Sequence, residues 1–426
     1  MRKIVMLKPH EWLQGGYENR DAPSTFRMLE RELRSTGTQF STSRSPVRIA
    51  NHGASGVGPT FGGVMESVGR LGHGYAVVAE FEDEEAEARF VSDRHSDVQG
   101  VFSDPQIEIF HVVNPTSAVG TAADVYSRLN LATMHQQTFD GNGVRLMVVD
   151  NGVDRNTIAV AGGFSPNATI APGGSPAGHG TMVAFDAKIA APKAMVYDYP
   201  LLRSNGTGQW VAFLSDAIRV FSEIMIAVLQ SPGPAVVVNS WGLLNRASDA
   251  ALGNPQNYGA NPQHPFNQLM TSLTGAGIDV IFAAGNCGAS GADVRCGAAD
   301  RGPGQSIHGA NSHPSVTSVG AITVNDDILG CSSEGPGMLS NQKPDLVGYS
   351  HFAGSGVFPV DSGTSAAAPV VAGVVAALRS TPKGRVVSPA QMQALLARTA
   401  RNIGSPGWDP QSGAGVIDPL AALNAL

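Results

Sequence analysis

The sequence predicts an α/β fold, a parallel sheet with helices on both faces, preceded by a small α+β unit. Three observations predict it. From residue 144 onward short apolar runs alternate with longer helical stretches, the order expected of a parallel sheet covered on both sides. Upstream of about residue 115 the texture changes to a strand, a helix and two further strands. Within that upstream part, 35–63 is rich in Ser, Thr, Gly and Pro and reads as a loop or disordered insertion.

Taken in order, residues 26–34 carry a short charged helix and Gly74-Tyr75-Ala76-Val77-Val78-Ala79-Glu80-Phe81 a strand. Residues 82–91 have helical charge spacing, and 98–110 make two strands around a turn. The first boundary falls at 112–122, which divides the chain into 1–115 and 116–426. Strands follow at 144–149, 194–202, 235–240, 279–284 and 316–322, with helices at 213–229 and 266–275. A last helix, 388–399, is introduced by Ser388-Pro389. Asp150, Ser240 and Asn286 then lie at carboxyl ends of strands, while His179 and Ser365 start helices that return to the same edge.

Composition bounds the function. With 426 residues of which 42% are hydrophobic, the chain can bury a large core. A formal charge of −7 and the lack of a long basic run exclude nucleic acid as the main partner. The start, Met1-Arg2-Lys3-Ile4-Val5-Met6-Leu7-Lys8-Pro9, has too short an apolar run for an export leader. The apolar stretch 366–378 holds Pro369 and Gly373 and is shorter than a membrane span. A cytoplasmic protein with no membrane partner is expected. Cys287 and Cys296 are close enough in sequence to form a bridge, with reduced thiols the equal alternative, and Cys331 stands alone.

The chemistry is concentrated in four segments. Asp361-Ser362-Gly363-Thr364-Ser365-Ala366-Ala367-Ala368-Pro369 places a hydroxyl between a glycine turn and an apolar helix start, which makes Ser365 a candidate nucleophile. A serine hydroxyl needs an imidazole to take its proton and a carboxylate to hold that imidazole in one tautomer. Gly178-His179-Gly180-Thr181 supplies His179, and Val148-Val149-Asp150-Asn151-Gly152 supplies Asp150. Val280-Ile281-Phe282-Ala283-Ala284-Gly285-Asn286 ends in a carboxamide able to donate to a developing oxyanion. Each residue also has a structural reading: a serine cap, a buried histidine, an aspartate turn, an asparagine in a left-handed loop. All four would have to hold together for the chemistry to be absent.

The order Asp, His, Ser separates triad architectures, and with these four motifs residues 120–426 resemble the subtilisin-like serine peptidases. The resemblance implies Asp150 as orienting acid, His179 as general base, Ser365 as nucleophile, and Asn286 with the Ser365 backbone N–H as oxyanion hole. Val236-Val237-Val238-Asn239-Ser240-Trp241-Gly242 looks like the family's substrate-binding strand, which brings in Ser240, Trp241 and Gly242. Ala283, Ala284 and Gly285 would form the facing wall. Asn205-Gly206-Thr207-Gly208-Gln209-Trp210 resembles the other edge segment, and Trp210 with Trp241 would frame an aromatic pocket further up the substrate. The N-terminal unit resembles the family's prodomain, an inhibitory and folding-assisting segment that the enzyme clips from itself, here within 110–122; the long 35–63 stretch is unusual for such prodomains, and a dedicated interaction domain that is never removed is the alternative.

Two departures are visible. Met182 and Ala366 stand where many relatives carry a second histidine and a methionine. The run from His179 to Leu202 is too short for the loop that holds the family's strong calcium site, so no metal and no cofactor are expected there; Asp326-Asp327 is an acidic pair that could take calcium elsewhere. The expected function is a serine endopeptidase acting on polypeptides through an acyl-enzyme on Ser365. A leader-processing or macrocyclising transpeptidase, or a non-catalytic peptide-binding module, are the alternatives.

Overall fold

The computed structural model describes residues 1–7, 39–40, 47–50, 73–93, 98–110, 117–166 and 170–426. The helix expected at 26–34 lies outside them. Among the described residues five strands form the N-terminal sheet: β1 (Arg2–Leu7), β2 (Gln39–Phe40), β3 (Val47–Ala50), β4 (His73–Glu80) and β5 (Val98–Ser103). β1 pairs antiparallel with β4 on one side and β5 on the other, and β2 and β3 pair with β4. Ile4-Val5-Met6-Leu7, considered above only as a leader, is thus a central strand. The 35–63 segment is not wholly loop, since β2 and β3 arise within it.

The alternation of β1 decides what each face covers. Val5 and Leu7 join Val77, Ala79, Phe81 and Phe90 of helix α1 (Glu84–Asp93) in a small core. Ile4 and Met6 face the other way, into the main body's core. The two expected strands of 98–110 are present as β5 and β6 (Gln106–Ile109), but β6 leaves the N-terminal sheet altogether.

In the main body come helices α2 (Ala122–Arg128) and α3 (Leu131–Gln136), strands β7 (Arg145–Asp150) and β8 (Val160–Gly163), helix α4 (His179–Ala190), and strands β9 (Met195–Pro200), β10 (Arg203–Ser204) and β11 (Trp210–Phe213). Helix α5 (Leu214–Gln230), strands β12 (Ala235–Asn239) and β13 (Trp241–Gly242), helix α6 (Pro265–Gly275), and strands β14 (Asp279–Ala283), β15 (Thr317–Ile322) and β16 (Leu346–Tyr349) follow. Helices α7 (Thr364–Arg379), α8 (Pro389–Thr399) and α9 (Pro419–Ala425) complete the chain. Seven strands form one sheet in the order β16-β15-β14-β12-β7-β9-β8, with every pairing parallel. This is the parallel α/β architecture that the sequence predicts.

The unbroken apolar runs follow from burial on both faces. Leu146, Val148, Val236 and Val238 point to the side carrying α4 and α7, whereas Met147, Val149 and Val237 point to the side carrying α5 and α6. α4 and α7 approach very closely: a Cβ on Gly373 would lie 2.1 Å from the Ala187 carbonyl oxygen, so the contact requires glycine. Strands are added on one side of β7 through β9 and on the other through β12, which makes the β7/β12 junction the switch point where ligands collect in such sheets.

The N-terminal unit is bound to the body by polar contacts. Asp104 Oδ1 accepts from the Ser215 backbone N–H at 2.7 Å, satisfying a donor at the start of α5, and its Oδ2 accepts from Arg2 Nε at 2.6 Å. Ser103 N–H donates to the Gln256 carbonyl at 2.9 Å.

Candidate active site

Asp150 ends β7 and is fully buried; its Oδ1 also accepts from the Asn151 N–H at 2.8 Å. His179 opens α4, and the helix start is drawn against the loop after β7 by Gly180, whose N–H donates to Asn151 Oδ1 at 2.8 Å. A Cβ on Gly180 would lie 2.5 Å from the Gly152 carbonyl oxygen. This approach puts His179 Nδ1 at 2.8 and 3.0 Å from the two Asp150 carboxylate oxygens. A carboxylate can only accept, so Nδ1 carries the proton and Nε2 is the basic nitrogen of the neutral ring.

Asp198, on β9 beside β7, is pushed up to about 6 by burial, with the nearby Asp150 adding to the rise and the backbone N–H groups of Gly173 and Val153 opposing it. Its pKa is raised on folding, so between about pH 4 and 6 the native state holds a proton that the unfolded chain has lost. Stability therefore falls as pH climbs through that window. Asp198→Asn is expected to abolish this fall. The stability difference between variant and parent should shift by about 2–3 kcal/mol between pH 4 and 7, read by urea unfolding; a difference independent of pH would contradict it.

Gly363, at φ +67°, turns the chain into α7, and Thr364 and Ser365 are fully buried in its first turn. Asn286 follows β14 through Gly285, at φ +118°. The carboxamide is oriented by Thr364, whose N–H and Oγ1–H both donate to Asn286 Oδ1, at 3.0 and 2.9 Å. Its NH2 must then point the other way, and Nδ2 donates to the Phe110 carbonyl oxygen at 2.7 Å. Ser365 Oγ–H donates to the same oxygen at 2.7 Å.

Phe110 is held there by a strand sandwich. β6 is the inner strand of a four-stranded sheet ordered β10-β11-β6-β13. It pairs antiparallel with β11 (Glu108 opposite Val211, Ile107 opposite Ala212) and with β13 (Ile109 opposite Trp241, Glu108 opposite Gly242). Phe110 N–H donates to the Ser240 carbonyl at 3.0 Å. The Phe110 ring rests on Gly242, where a Cβ would come within 2.5 Å of its Cζ. Asn311 Nδ2 ties the carbonyls of Trp241 and Ala283 together, each at 2.9 Å. Ala283, Ala284 and Gly285 are buried in the segment leading to Asn286.

Two expectations need correction. Trp241 frames no pocket: its indole is fully buried among Phe221, Phe266 and Phe282, and Nε1 donates to the Val149 carbonyl at 2.9 Å. Its backbone alone pairs with β6. Gly206 and Gly208 sit in the turn between β10 and β11, at φ +81° and +88°, with no atom within 4 Å of a Cβ built on either; the strand paired with β6 is the following Val211–Phe213. Trp210 begins β11 and packs partly buried on the core. Asp326 of the acidic pair is bound to Arg128 at 2.7 Å and to Arg401 at 2.9 Å.

Cys287 and Cys296 form a disulfide with Cα atoms 5.8 Å apart, closing the loop after Asn286. Within it Arg295 binds Glu108, a contact that motif reading missed; its adjacency to Cys296 near Asn286 was the available signal. Thr364 was passed over in the same way, although it sits beside Ser365. Among the described residues no helix is long and apolar enough to cross a membrane.

Comparison with known proteins places the chain in a family. The subtilase family (Peptidase S8) matches residues 141–415. Subtilisin E of Bacillus subtilis (strain 168) is 27% identical over 310 residues, 70% of each protein. Membrane-bound transcription factor site-1 protease of Homo sapiens is 34% identical over 179 residues, covering 38% of this chain and 15% of that one. Fervidolysin from Fervidobacterium pennivorans, a keratinolytic enzyme related to subtilisin, superimposes with a TM-score of 0.62 at 16% identity, covering 99% of this chain and 60% of its own, a likeness of fold. The chain thus spans under two thirds of the last two proteins. With almost two thirds of its length matched by one family, the chain belongs to the subtilase family of serine endopeptidases.

Proposed function

We propose that this endopeptidase cuts its own chain between Phe110 and His111 and then cleaves other polypeptides with the same residues. The observation that supports this reading is the Phe110 carbonyl oxygen, which receives Ser365 Oγ–H and Asn286 Nδ2–H together at 2.7 Å. Phe110 is then the residue before the cut, and β6 occupies the cleft as an extended substrate does.

In the proposed reaction Ser365 Oγ attacks the Phe110 carbonyl carbon while His179 Nε2 takes its proton. Asp150 stabilises the imidazolium at Nδ1. The oxygen becomes an anion held by Asn286 Nδ2 and the Ser365 N–H, in a buried site where such donors count most. Collapse breaks the bond to His111, whose amine leaves with the proton from His179. Water then attacks the acyl-enzyme with His179 as base, releasing the Phe110 carboxylate. After the cut, residues 1–110 stay on the body through β6 and the contacts of Asp104 and Ser103, so they act as an intramolecular inhibitor until removed. On this reading the domain boundary lies at 110/111 rather than at 115. No metal or cofactor takes part in any step.

A fluorophosphonate probe tests the reading. It is expected to form an adduct on Ser365 alone, located by peptide mapping, and to abolish cleavage after Phe in a peptide copying residues 101–114. Cleavage that survives complete labelling, or an adduct on another serine, would overturn it. Products joined to an added amine would identify transpeptidation, and labelling with no cleavage a binding role.

A further inference from the structure

The sequence of β6 is seated in an alternating way. Ile107 and Ile109 are buried in the core beneath α5 and α6, while Glu108 between them faces the other direction. On that side stands Arg295. Its Nη1 lies 3.1 Å from Glu108 Oε2, and its Nη2 donates to the Ile109 carbonyl at 3.0 Å. The opposite edge of the guanidinium is gripped by Asp293, with Nε to Oδ1 at 3.0 Å and Nη2 to Oδ2 at 2.8 Å. Arg295 and Glu108 keep only 15% and 17% of their side-chain exposure, so their attraction is only partly screened.

The cation is fixed before any acidic partner arrives. Asp293 N–H donates to the Asn286 carbonyl at 2.8 Å, and the Cys287–Cys296 disulfide closes the loop directly after Arg295. Two ties and a bidentate carboxylate thus hold the guanidinium beside the cleft, which lowers the ordering cost of using it.

We propose that Arg295 is a specificity-determining residue that selects an acidic side chain two positions before the residue at the cut. This rests on the reading of Phe110 as that residue. The substrate class is then an extended peptide with Glu or Asp at that position, apolar side chains on either side of it, and Phe at the cut. The Ile109 carbonyl contact is independent of sequence and anchors any substrate; the Glu108 contact discriminates.

Competition between three peptides copying residues 101–114, with Glu, Gln or Lys at position 108, tests the proposal on the unaltered enzyme. The Glu peptide is expected to exceed the Gln peptide about tenfold in kcat/KM, mainly through KM, and the Lys peptide to fall further. With Arg295→Ala the Glu and Gln peptides should converge, and with Arg295→Glu the Lys peptide should become the best. Equal rates for all three on the unaltered enzyme, with cleavage still after Phe110, would overturn the role of Arg295 and leave the site reading standing. Failure to cleave any of them after Phe110 would overturn the site reading itself. A Glu preference that persists unchanged in both folded Arg295 variants would assign the selection elsewhere and also overturn the proposal.

Discussion

Ser365→Ala is expected to lower kcat on a peptide substrate by roughly a million-fold while leaving the fold intact. The magnitude is the family's own, carried over. The physical reason is that the variant has no atom to receive the acyl group, so neither His179 nor Asp150 has a proton transfer to assist. What survives is binding along β11 and β13 with the Asn286 donor, enough to hold some thousandfold over water. Structurally little changes: Ser365 Oγ donates to the Phe110 carbonyl at 2.7 Å, and that oxygen keeps Asn286 Nδ2 at the same distance. Assay of the purified variant against the parent reads the loss. A folded variant within a hundredfold of the parent would remove Ser365 from the chemistry.

Asn286→Ala should cost about 100- to 1000-fold in kcat, roughly 3 kcal/mol, with KM within a few-fold. The family again supplies the size of the effect. The split between kcat and KM follows because the donor gains strength only as the carbonyl oxygen becomes negative. Alanine also strips the acceptor from the Thr364 N–H and Oγ1–H, a buried loss of about 1–3 kcal/mol in stability. Asn286→Asp separates the two effects, since it keeps an acceptor for Thr364 but presents an oxygen to Phe110 where a donor stood. Both variants should be slow and only the alanine one markedly less stable. A folded Asn286→Ala enzyme within threefold of the parent kcat would sink the assignment.

The sheet was legible because its strands are buried on both faces, and Val236-Val237-Val238 and Val148-Val149 can hardly be anything else. The helices α5 and α6 were legible from length and spacing, to within a residue or two at their ends. The short pieces were not. β16 (Leu346–Tyr349) and β8 (Val160–Gly163) have four residues each and no distinctive period, and β1 carries an apolar run too short to be placed by length alone. Asp150 meets His179, and Ser365 and Asn286 meet at the Phe110 carbonyl, because each motif carries its own local reason, a glycine turn or a strand end. Trp241 was misjudged because an aromatic residue beside a cleft strand points either to the cleft or to the core, and alternation sends this one inward. The role of β6 was invisible, since no local signal tells a strand which of two sheets will receive it.

Intact mass measurement of the purified parent and of Ser365→Ala, both prepared from cells lacking other peptidases able to cut them, tests the account's central claim. The account predicts two fragments for the parent, 1–110 and 111–426, and only full-length chain for the variant. A parent that remains whole although it reacts with fluorophosphonate, a cut at another bond, or the same cut in Ser365→Ala would contradict it.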